Sequence, residues 1–352
     1  MPIRVLLVED SPVAQVILKR ILEASPQIEV VGTASTGLEA LAMIPNVAPQ
    51  VICTDLHMPK MDGLSLTIEV MAHYPCPILV VSSSVQEDDP QNVFHLLAAG
   101  AVDIFPKPCG GLSPVDPVLN QALIDKILVL AGVKVFKKKR AHSILGKRHR
   151  LPLMHARYHS RPRIIAIGAS TGGPQALQKL FAKLPTDFPP ILCVQHISAG
   201  FLQGLIDWLK KTCALSIEIA QPGQKPQSGH IYFPAENHHL ALDTKGQFVH
   251  LDLPSVDGHR PSITVTFDAV AHRYGRHAMG ILLTGMGQDG AIGLKAICQS
   301  GGMTIAQDDS TSVVFGMPKV AIELGAAQQV LPIDAIAQTL LNSVSQPHLR
   351  PS

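Results

Sequence analysis

Short β-branched runs alternate with segments of helical periodicity along most of the chain, and this alternation limits the possible folds more than any other feature. In the first third, apolar runs predict five strands, at residues 3–8, 28–33, 51–55, 78–81 and 102–105. Between them, apolar residues recur at helical spacing, as in Val13, Val16, Ile17 and Ile21. Strands that alternate with helices predict a parallel sheet with helices on both faces.

The same alternation resumes near residue 163. Strands are predicted at residues 163–168, 191–195, 231–233 and 278–283, and helices at residues 174–184, 201–212, 263–274 and 291–300. We therefore expect two α/β domains, over residues 1–125 and 163–345, the second doubly wound around a mostly parallel sheet.

A basic segment separates the two blocks. Residues 134–163 contain eleven lysines and arginines, and no Asp or Glu occurs between Asp125 and Asp187, although the whole chain carries a net charge of only +2. Its apolar periodicity is weak, so residues 126–162 are predicted to form an interdomain linker. A nucleic-acid-binding arm is the alternative, but no platform of stacking aromatic residues accompanies the charges. We expect no nucleic-acid partner.

Composition narrows the class of protein further. Apolar residues make up 46% of the chain and charged residues 16%, which is typical of a folded protein with substantial cores. No apolar run approaches the ~18 residues that span a bilayer, and the apolar start of the chain runs directly into Glu9 and Asp10. The six cysteines form no C-x-x-C pair, so we expect buried free thiols, a cytoplasmic location and no membrane insertion.

Charged and hydroxyl side chains follow four predicted strands of the first domain. Glu9 and Asp10 follow the first strand, Asp55 ends the third, Ser82 follows the fourth and Lys107 follows the fifth. The carboxyl ends of parallel strands meet at one edge of the sheet, where ligands bind. Carboxylates suit Mg²⁺, and an aspartate there can attack a phosphoryl donor. Lys107 and Ser82 would then contact the phosphoryl oxygens. Helix capping by Asp10 or Ser11 is the alternative role for the first acids.

The first domain resembles the receiver domain of bacterial response regulators. The resemblance rests on Glu9-Asp10, D-L-H-M-P-x-M-D-G at residues 55–63, Ser82 and Lys107-Pro108. It implies a flavodoxin-like fold, phosphorylation of Asp55, and Mg²⁺ held by Glu9, Asp10, Asp55 and the main-chain carbonyl of His57. It also implies a phosphoryl switch through Ser82 and Lys107. Many receivers have an aromatic residue three positions before the lysine. Here that position is Ile104, and Phe105 lies one place later.

A second group of residues lies at strand ends of the other domain. Residues 168–172 match G-x-S-x-G, a tight turn that exposes the hydroxyl of Ser170 near a helix N-terminus. Capping by Ser170 and a phosphate cradle are alternative roles for this turn. His196 ends the next strand and Asp289 follows a later one, so a base and its orienting acid are available to activate the serine. The order Ser…His…Asp differs from that of the α/β-hydrolases, which is Ser…Asp…His.

These segments resemble the catalytic domain of the chemotaxis response-regulator protein-glutamate methylesterases. The matching stretches are residues 167–173, 194–196, 260–262, 283–291, 306–308, 316–318 and 330–332. The resemblance implies Ser170 as nucleophile, His196 as base, Asp289 as its orienter and the N–H of Met286 in the oxyanion hole. It implies no cofactor at this site. This chain departs from the family pattern at Ser198-Ala199, where the family often has prolines, and in the loop at residues 234–239.

The resemblance implies phosphorylation-activated removal of methyl esters from chemoreceptor glutamates, and deamidation of receptor glutamines, with a chemotaxis histidine kinase as phosphodonor. We expect the unphosphorylated receiver to cover the catalytic cleft. Arg260 is expected either to contact the receptor's acidic surface or to form a structural salt bridge. Two other functions remain open at this point: a regulator whose second domain only binds a partner, and a general serine esterase under receiver control.

Overall fold

The computed structural model describes residues 1–82, 90–108, 116–133, 135 and 161–345. The first domain alternates strands and helices without exception. Its elements are β1 (Ile3–Val8), α1 (Pro12–Glu23), β2 (Ile28–Ala34), α2 (Gly37–Val47), β3 (Val51–Thr54), α3 (Gly63–His73), β4 (Ile78–Ser82), α4 (Pro90–Ala99), β5 (Asp103–Pro106) and α5 (Pro117–Leu130). The five strands pair in the parallel order β2-β1-β3-β4-β5, the flavodoxin-like order.

Local sequence accounts for where these helices begin. Ser11 Oγ accepts a hydrogen bond from the Ala14 N–H, and Pro12 occupies the first helical position of α1. Asp62 and Asp116 cap α3 and α5 in the same way. The alternative of capping is therefore observed for Ser11, which leaves Asp10 available at the sheet edge. Helix α5 continues past residue 125 to Leu130.

The second domain is built around a larger sheet. Its elements are β6 (Ile164–Ala169), α6 (Gly173–Phe181), β7 (Ile191–Gln195), α7 (Leu202–Lys210), β8 (Ser216–Ile219), β9 (His230–Phe233), β10 (His239–Leu242), β11 (Phe248–Leu251), α8 (Ile263–Tyr274), β12 (Ala278–Leu282), α9 (Ala291–Gln299), β13 (Met303–Gln307), α10 (Met317–Glu323), β14 (Gln329–Leu331) and α11 (Ile333–Ser345). Seven strands pair in the parallel order β14-β13-β12-β6-β7-β9-β8, while β10 and β11 form a separate antiparallel pair.

The prediction of two α/β domains with parallel sheets is confirmed. Every predicted strand is present, and β7 and α8 have the predicted bounds. The sequence analysis did not identify β8, β10, β11, β13, β14, α10 or α11. In the large sheet, β6 lies between β12 and β7, so the segments that follow these three strands emerge side by side.

The two domains pack directly against each other. Phe94 of α4 stacks on Trp208 of α7, with ring centroids 5.8 Å apart and ring planes 29° apart. The side-chain amide of Gln175, in α6, donates a hydrogen bond to the Ala101 carbonyl at 2.8 Å. Apolar residues of both domains share one buried cluster. The receiver surface formed by α4 and the segment after it therefore covers α6 and α7.

The thiols in the described part of the chain are free. Cys53, Cys76 and Cys193 are buried, as predicted, whereas Cys213 and Cys298 are only half-buried and Cys109 lies outside the described residues. Burial raises the pKa of Cys53 and Cys76 to about 12, which keeps these two thiols protonated. Among the described helices, none combines the length and apolar character that crossing a bilayer requires.

Candidate functional site

The carboxyl edge of the first sheet brings together the predicted acids and lysine. Lys107 Nζ lies 2.7 Å from Asp55 Oδ2 and 2.9 Å from Glu9 Oε2. Both acids are buried. The Lys107 N–H donates a hydrogen bond to the Ser82 carbonyl at 2.7 Å, which places Ser82 at the same edge. The lysine thus lies directly over the carboxylate that is expected to accept a phosphoryl group.

Charge at this edge is incompletely balanced. Burial raises the pKa of Glu9 above its usual range, and the nearby Asp55 raises it further. Burial lowers the pKa of Lys107, but its hydrogen bonds to Asp55 and Glu9 outweigh this and leave the pKa raised. Lys107 Nζ donates a hydrogen bond to Glu9 Oε1 at 3.0 Å and lies 2.9 Å from Oε2, so a single ammonium serves both oxygens of Glu9 as well as Asp55. An additional cation beside these acids would lower the pKa of Glu9.

The acids fit a divalent cation. Oxygen atoms of Glu9, Asp10 and Asp55 lie within 4.8 Å of one another, and hard carboxylate oxygens are the ligands Mg²⁺ takes in proteins. His57 lies two residues after Asp55 with its side chain exposed. The acidic cluster therefore fits a Mg²⁺ site.

Phe105, next to the usual switch position, does not take the place of the aromatic residue that many receivers have there. Ile104 is buried with residues of α4 on one face of the sheet, whereas Phe105 is buried with residues of α1 and α5 on the other. This follows from strand geometry, because successive side chains point to opposite faces. The receiver therefore has an aliphatic side chain where many receivers have an aromatic ring.

In the second domain, Ser170 lies in the tight turn between β6 and α6. Its N–H donates to the Thr284 carbonyl at 3.0 Å, and its carbonyl accepts from the Gly173 N–H at 2.7 Å. A Cβ on Gly285 would lie 2.6 Å from the Ser170 Cβ, so this close approach requires glycine. The residue that caps α6 is Gly172, in the left-handed region at φ 76°, so the alternative that Ser170 is the N-cap is wrong.

His196 and Asp289 form a buried pair. His196 Nε2 lies 2.8 Å from Asp289 Oδ2, and both side chains are nearly inaccessible to solvent. The carboxylate also accepts hydrogen bonds from Ser262 Oγ at 2.8 Å, from the Ile263 N–H at 2.7 Å and from the Thr264 N–H at 3.0 Å. The last two amides belong to the first turn of α8, where a negative charge is favoured.

These contacts decide the charge of Asp289. Burial works to raise its pKa, but the hydrogen bond and charge of His196 and the two α8 amides outweigh burial. The pKa of Asp289 consequently lies well below its usual range. The acid therefore stays ionised, and an ionised carboxylate at this position favours the His196 tautomer that carries its proton on Nε2.

The other imidazole nitrogen is then a free base. His196 Nδ1 is buried and makes no hydrogen bond within the described structure. With the Nε2 proton directed at Asp289, Nδ1 carries the lone pair. Ser170, His196 and Asp289 follow the three adjacent strands β6, β7 and β12. The sequence prediction that they lie at one sheet edge agrees with this placement.

Two residues of this site were not identified from the sequence. The amide of Gln195 donates to the carbonyls of both Ser170 and His196 at 2.8 Å, which ties the two turns together. The ring of His259 stacks on the ring of His196. Gln195 directly precedes the predicted base, which is a signal that could have been used. His259 precedes a matched stretch but is 63 residues from His196 in sequence, so only the fold shows the contact.

Other expected residues have definite positions. Met286 lies in the turn after β12 with its side chain exposed, and its N–H makes no hydrogen bond with the described protein. Arg260 Nη1 lies 3.0 Å from Asp252 Oδ1 in an exposed ion pair, which agrees with the structural salt bridge. In the variant loop, Glu236 accepts hydrogen bonds from the N–H groups of Gly200 and Leu202, so the loop supports the segment after His196.

Comparison with known proteins identifies the family of each domain. Residues 165–340 match the CheB methylesterase family, and residues 5–112 match the response regulator receiver domain. The crystal structure of the Thermotoga maritima CheB methylesterase catalytic domain is 36% identical, covers 52% of this chain and 99% of its own, and superposes with a TM-score of 0.50.

Relatives of similar length match nearly the whole chain. A protein-glutamate methylesterase/protein-glutamine glutaminase of Nitrosospira multiformis is 40% identical over 98% of both chains. One from Geobacter metallireducens is 38% identical over 96% of this chain and 98% of its own. The chain, in which a response-regulator receiver domain precedes a methylesterase domain, therefore belongs to the protein-glutamate methylesterase/protein-glutamine glutaminase family.

Proposed function

We propose that this chain hydrolyses methyl esters of chemoreceptor glutamates with a Ser170–His196–Asp289 triad, under control of phosphorylation at Asp55. The observation that carries the assignment is the buried pair of Asp289 and His196, which leaves His196 Nδ1 unpartnered. A buried imidazole with one nitrogen held by a carboxylate and the other free has the arrangement that a general base for serine needs. The sequence assigns the domains to residues 1–125 and 163–345, with a linker at 126–162. Because α5 continues to Leu130, the proposed receiver domain extends to that residue and the linker begins after it.

The proposed reaction begins with proton transfer. His196 Nδ1 takes the Ser170 proton as Oγ attacks the ester carbonyl, and the hydrogen bond from Nε2 to Asp289 stabilises the imidazolium that forms. The oxyanion accepts a hydrogen bond from the Met286 N–H, a type of contact that contributes about 3 kcal/mol. Methanol leaves with the proton from His196, and water then hydrolyses the acyl-enzyme. Glutamine amides follow the same route with ammonia as the leaving group.

The packing of the two domains supports autoinhibition. Lys126 of α5 donates hydrogen bonds to Asp103 Oδ2 at 2.7 Å and to Thr171 Oγ1 at 3.0 Å, directly beside Ser170. A receiver docked there leaves little room for a helical protein substrate. Phosphorylation of Asp55 would shift the population toward an open arrangement.

The phosphodonor in this proposal is a chemotaxis histidine kinase, and the chain acts in the cytoplasm during chemosensory adaptation. Glu9, Asp10, Asp55 and the His57 carbonyl would hold Mg²⁺, which neutralises phosphoryl charge when bound. Lys107 and Ser82 would contact the phosphoryl oxygens, Lys107 by exchanging its ion pair with Asp55 for one with the phosphoryl group. No cofactor is assigned to the catalytic site.

The decisive experiment measures methanol release from methylated chemoreceptor with and without a small phosphodonor and Mg²⁺. We expect release that the phosphodonor stimulates, loss of all release in Ser170→Ala, and loss of stimulation alone in Asp55→Ala. The isolated residues 155–352 should be active without phosphodonor. No release by any form would overturn the enzyme assignment, and equal activity of the intact chain and isolated domain would overturn the control mechanism.

A further inference from the structure

A second histidine lies flat against the proposed base. The ring centroids of His196 and His259 are 3.6 Å apart and the ring planes differ by 10°. This is closer and more parallel than the other ring pairs among the described residues, whose centroids are 4.7 to 6.4 Å apart. His259 therefore covers one face of the imidazole that Asp289 holds by its edge.

The backbone around His259 is rigidly defined. The N–H and carbonyl groups of Val256 and His259 exchange two hydrogen bonds, of 2.9 and 3.1 Å, across a tight turn. Asp257 and Gly258, at the centre of this turn, both have positive φ, 51° and 81°. The Gln288 side chain donates to Asp257 Oδ1 at 2.9 Å and fastens the turn beside Asp289. These contacts fix the backbone that carries the His259 ring.

The same segment also holds the acid. Three residues after His259, Ser262 caps α8 and donates its hydroxyl to Asp289. One short segment therefore contacts the ring face of His196 and, separately, the carboxylate at its edge. A displacement of this segment would disturb both contacts together.

Charge favours this stack. Burial, together with the smaller effects of positive charge on His196 and Lys126, lowers the pKa of His259 to about 4 against the opposing effect of Asp289. At neutral pH the His259 ring is consequently uncharged. An uncharged aromatic ring can remain on the face of His196 both before and after that residue takes a proton, whereas two cations would repel each other.

We propose that His259 is a positioning residue, which rests on the proposed function: its neutral ring keeps the imidazole of His196 in the plane where Nε2 meets Asp289 and Nδ1 faces the nucleophile. One hydrogen bond to Asp289 fixes a nitrogen but leaves the ring able to pivot about that contact. The ring face of His259 blocks the pivot. The contact that matters is therefore the flat ring and not its nitrogen atoms.

The test compares two substitutions in the full chain. His259→Ala removes the ring, whereas His259→Phe retains a flat ring without titratable nitrogen. His272→Ala, at an exposed position of α8, is the matched control. We expect His259→Ala to lower kcat by about 10²-fold, the loss that ~1 Å of misplacement of a reacting group can cause. KM should change little, and His259→Phe should recover most of kcat.

The pH profile provides a readout beyond folding. Removing the ring admits water to one face of His196 and solvates its charged form, so the acid limb of kcat/KM should move to higher pH in His259→Ala but not in His259→Phe. ¹⁵N chemical shifts of His196 should report one tautomer in the wild type and in His259→Phe, and a mixture in His259→Ala.

The outcomes separate this inference from the proposed function. Absence of ester hydrolysis by the wild type would refute the function, and the tautomer measurement would still decide the positioning role. Wild-type kcat and a single tautomer in His259→Ala would overturn the inference. A loss in His259→Phe as large as in His259→Ala would also overturn it, because the nitrogens would then be the functional atoms.

Discussion

Lys126 Nζ lies 3.0 Å from the hydroxyl of Thr171, so a receiver side chain contacts the residue that follows the proposed nucleophile. The same ammonium lies 2.7 Å from Asp103, the first residue of β5. At the other end of this strand, Lys107 pairs with Asp55. Strand β5, only four residues long, thus connects the expected phosphorylation site to the interdomain contact.

Replacement of Lys126 should therefore release part of the inhibition. Lys126→Met removes two charge-assisted hydrogen bonds, of which only the one to Thr171 stabilises docking. Hydrogen bonds to charged groups are worth about 1.5–3 kcal/mol, so basal methyl ester hydrolysis should rise by roughly 10-fold or more in the unphosphorylated chain. Phosphodonor-stimulated activity should change much less. Initial rates with and without phosphodonor provide the measurement.

Lys183→Met is the control for this experiment. Lys183 pairs with Asp334 at 2.6 Å within the catalytic domain, where no receiver residue is involved. It should leave the ratio of stimulated to basal rates unchanged. An unchanged basal rate in Lys126→Met would show that the contact does not contribute to docking.

Asp289→Asn should inactivate the enzyme but leave its fold intact. An amide can donate to Nε2, which would favour the tautomer with the proton on Nδ1 and remove the base from the side of Ser170. The same substitution in serine proteases lowers kcat by about 10⁴-fold, and we expect a loss of that order. Steady-state rates test this, with circular dichroism to establish the fold. Retention of more than a tenth of the activity would remove Asp289 from the triad.

Stability should depend on pH through the same carboxylate. The pKa of Asp289 is lowered from its ordinary value of 3.8, so the folded state favours the ionised form. This stabilisation is fully present above the unfolded-state pKa and is lost as the pH falls below it toward the folded-state pKa. The free energy of unfolding should therefore differ more between wild type and Asp289→Asn at about pH 7 than at about pH 3. Denaturant titrations at both pH values would reveal a constant difference if the expectation is wrong.

Gln195 should matter for both stability and rate. Gln195→Met keeps the side-chain length but removes the side-chain donor to the His196 carbonyl and one of the two donors to the Ser170 carbonyl, which keeps the Gly173 N–H. We expect a cost of about 1–3 kcal/mol. Because these carbonyls belong to the two reactive turns, kcat should fall as well. Gln203→Met, on an exposed face of α7, is the control and should change neither quantity. Equal unfolding midpoints for the two variants would contradict the role of Gln195.

The periodicity of apolar residues was sufficient to predict all five strands of the first sheet and four strands of the large sheet, β6, β7, β9 and β12. Strands such as β7 are buried along their whole length and appear in sequence as uninterrupted apolar runs. Both edge strands of the large sheet, β14 and β8, escaped prediction, as did β13 beside β14. β14 has three residues, none of them buried, and β8 alternates polar and apolar residues over only four. Such short segments form strands because a neighbouring strand offers hydrogen bonds.

The proposed site residues could be placed from the sequence wherever they follow a strand. Ser170, His196 and Asp289 could be placed at one edge because parallel strands end on the same side of a sheet. His259 and Ser262 reach the site from a loop and from the start of α8, and no rule of strand order leads to them. Their contribution depends on how α8 crosses the sheet, which local sequence does not encode.

The stacking of Phe94 on Trp208 has a further consequence, because Trp208 is the chain's single tryptophan. Its indole is buried between the domains, with Phe94 of the receiver on its face. Separation of the domains would remove that ring and expose the indole to water. Tryptophan emission would then shift to longer wavelength. The fluorescence of Trp208 should therefore report domain docking without an added label.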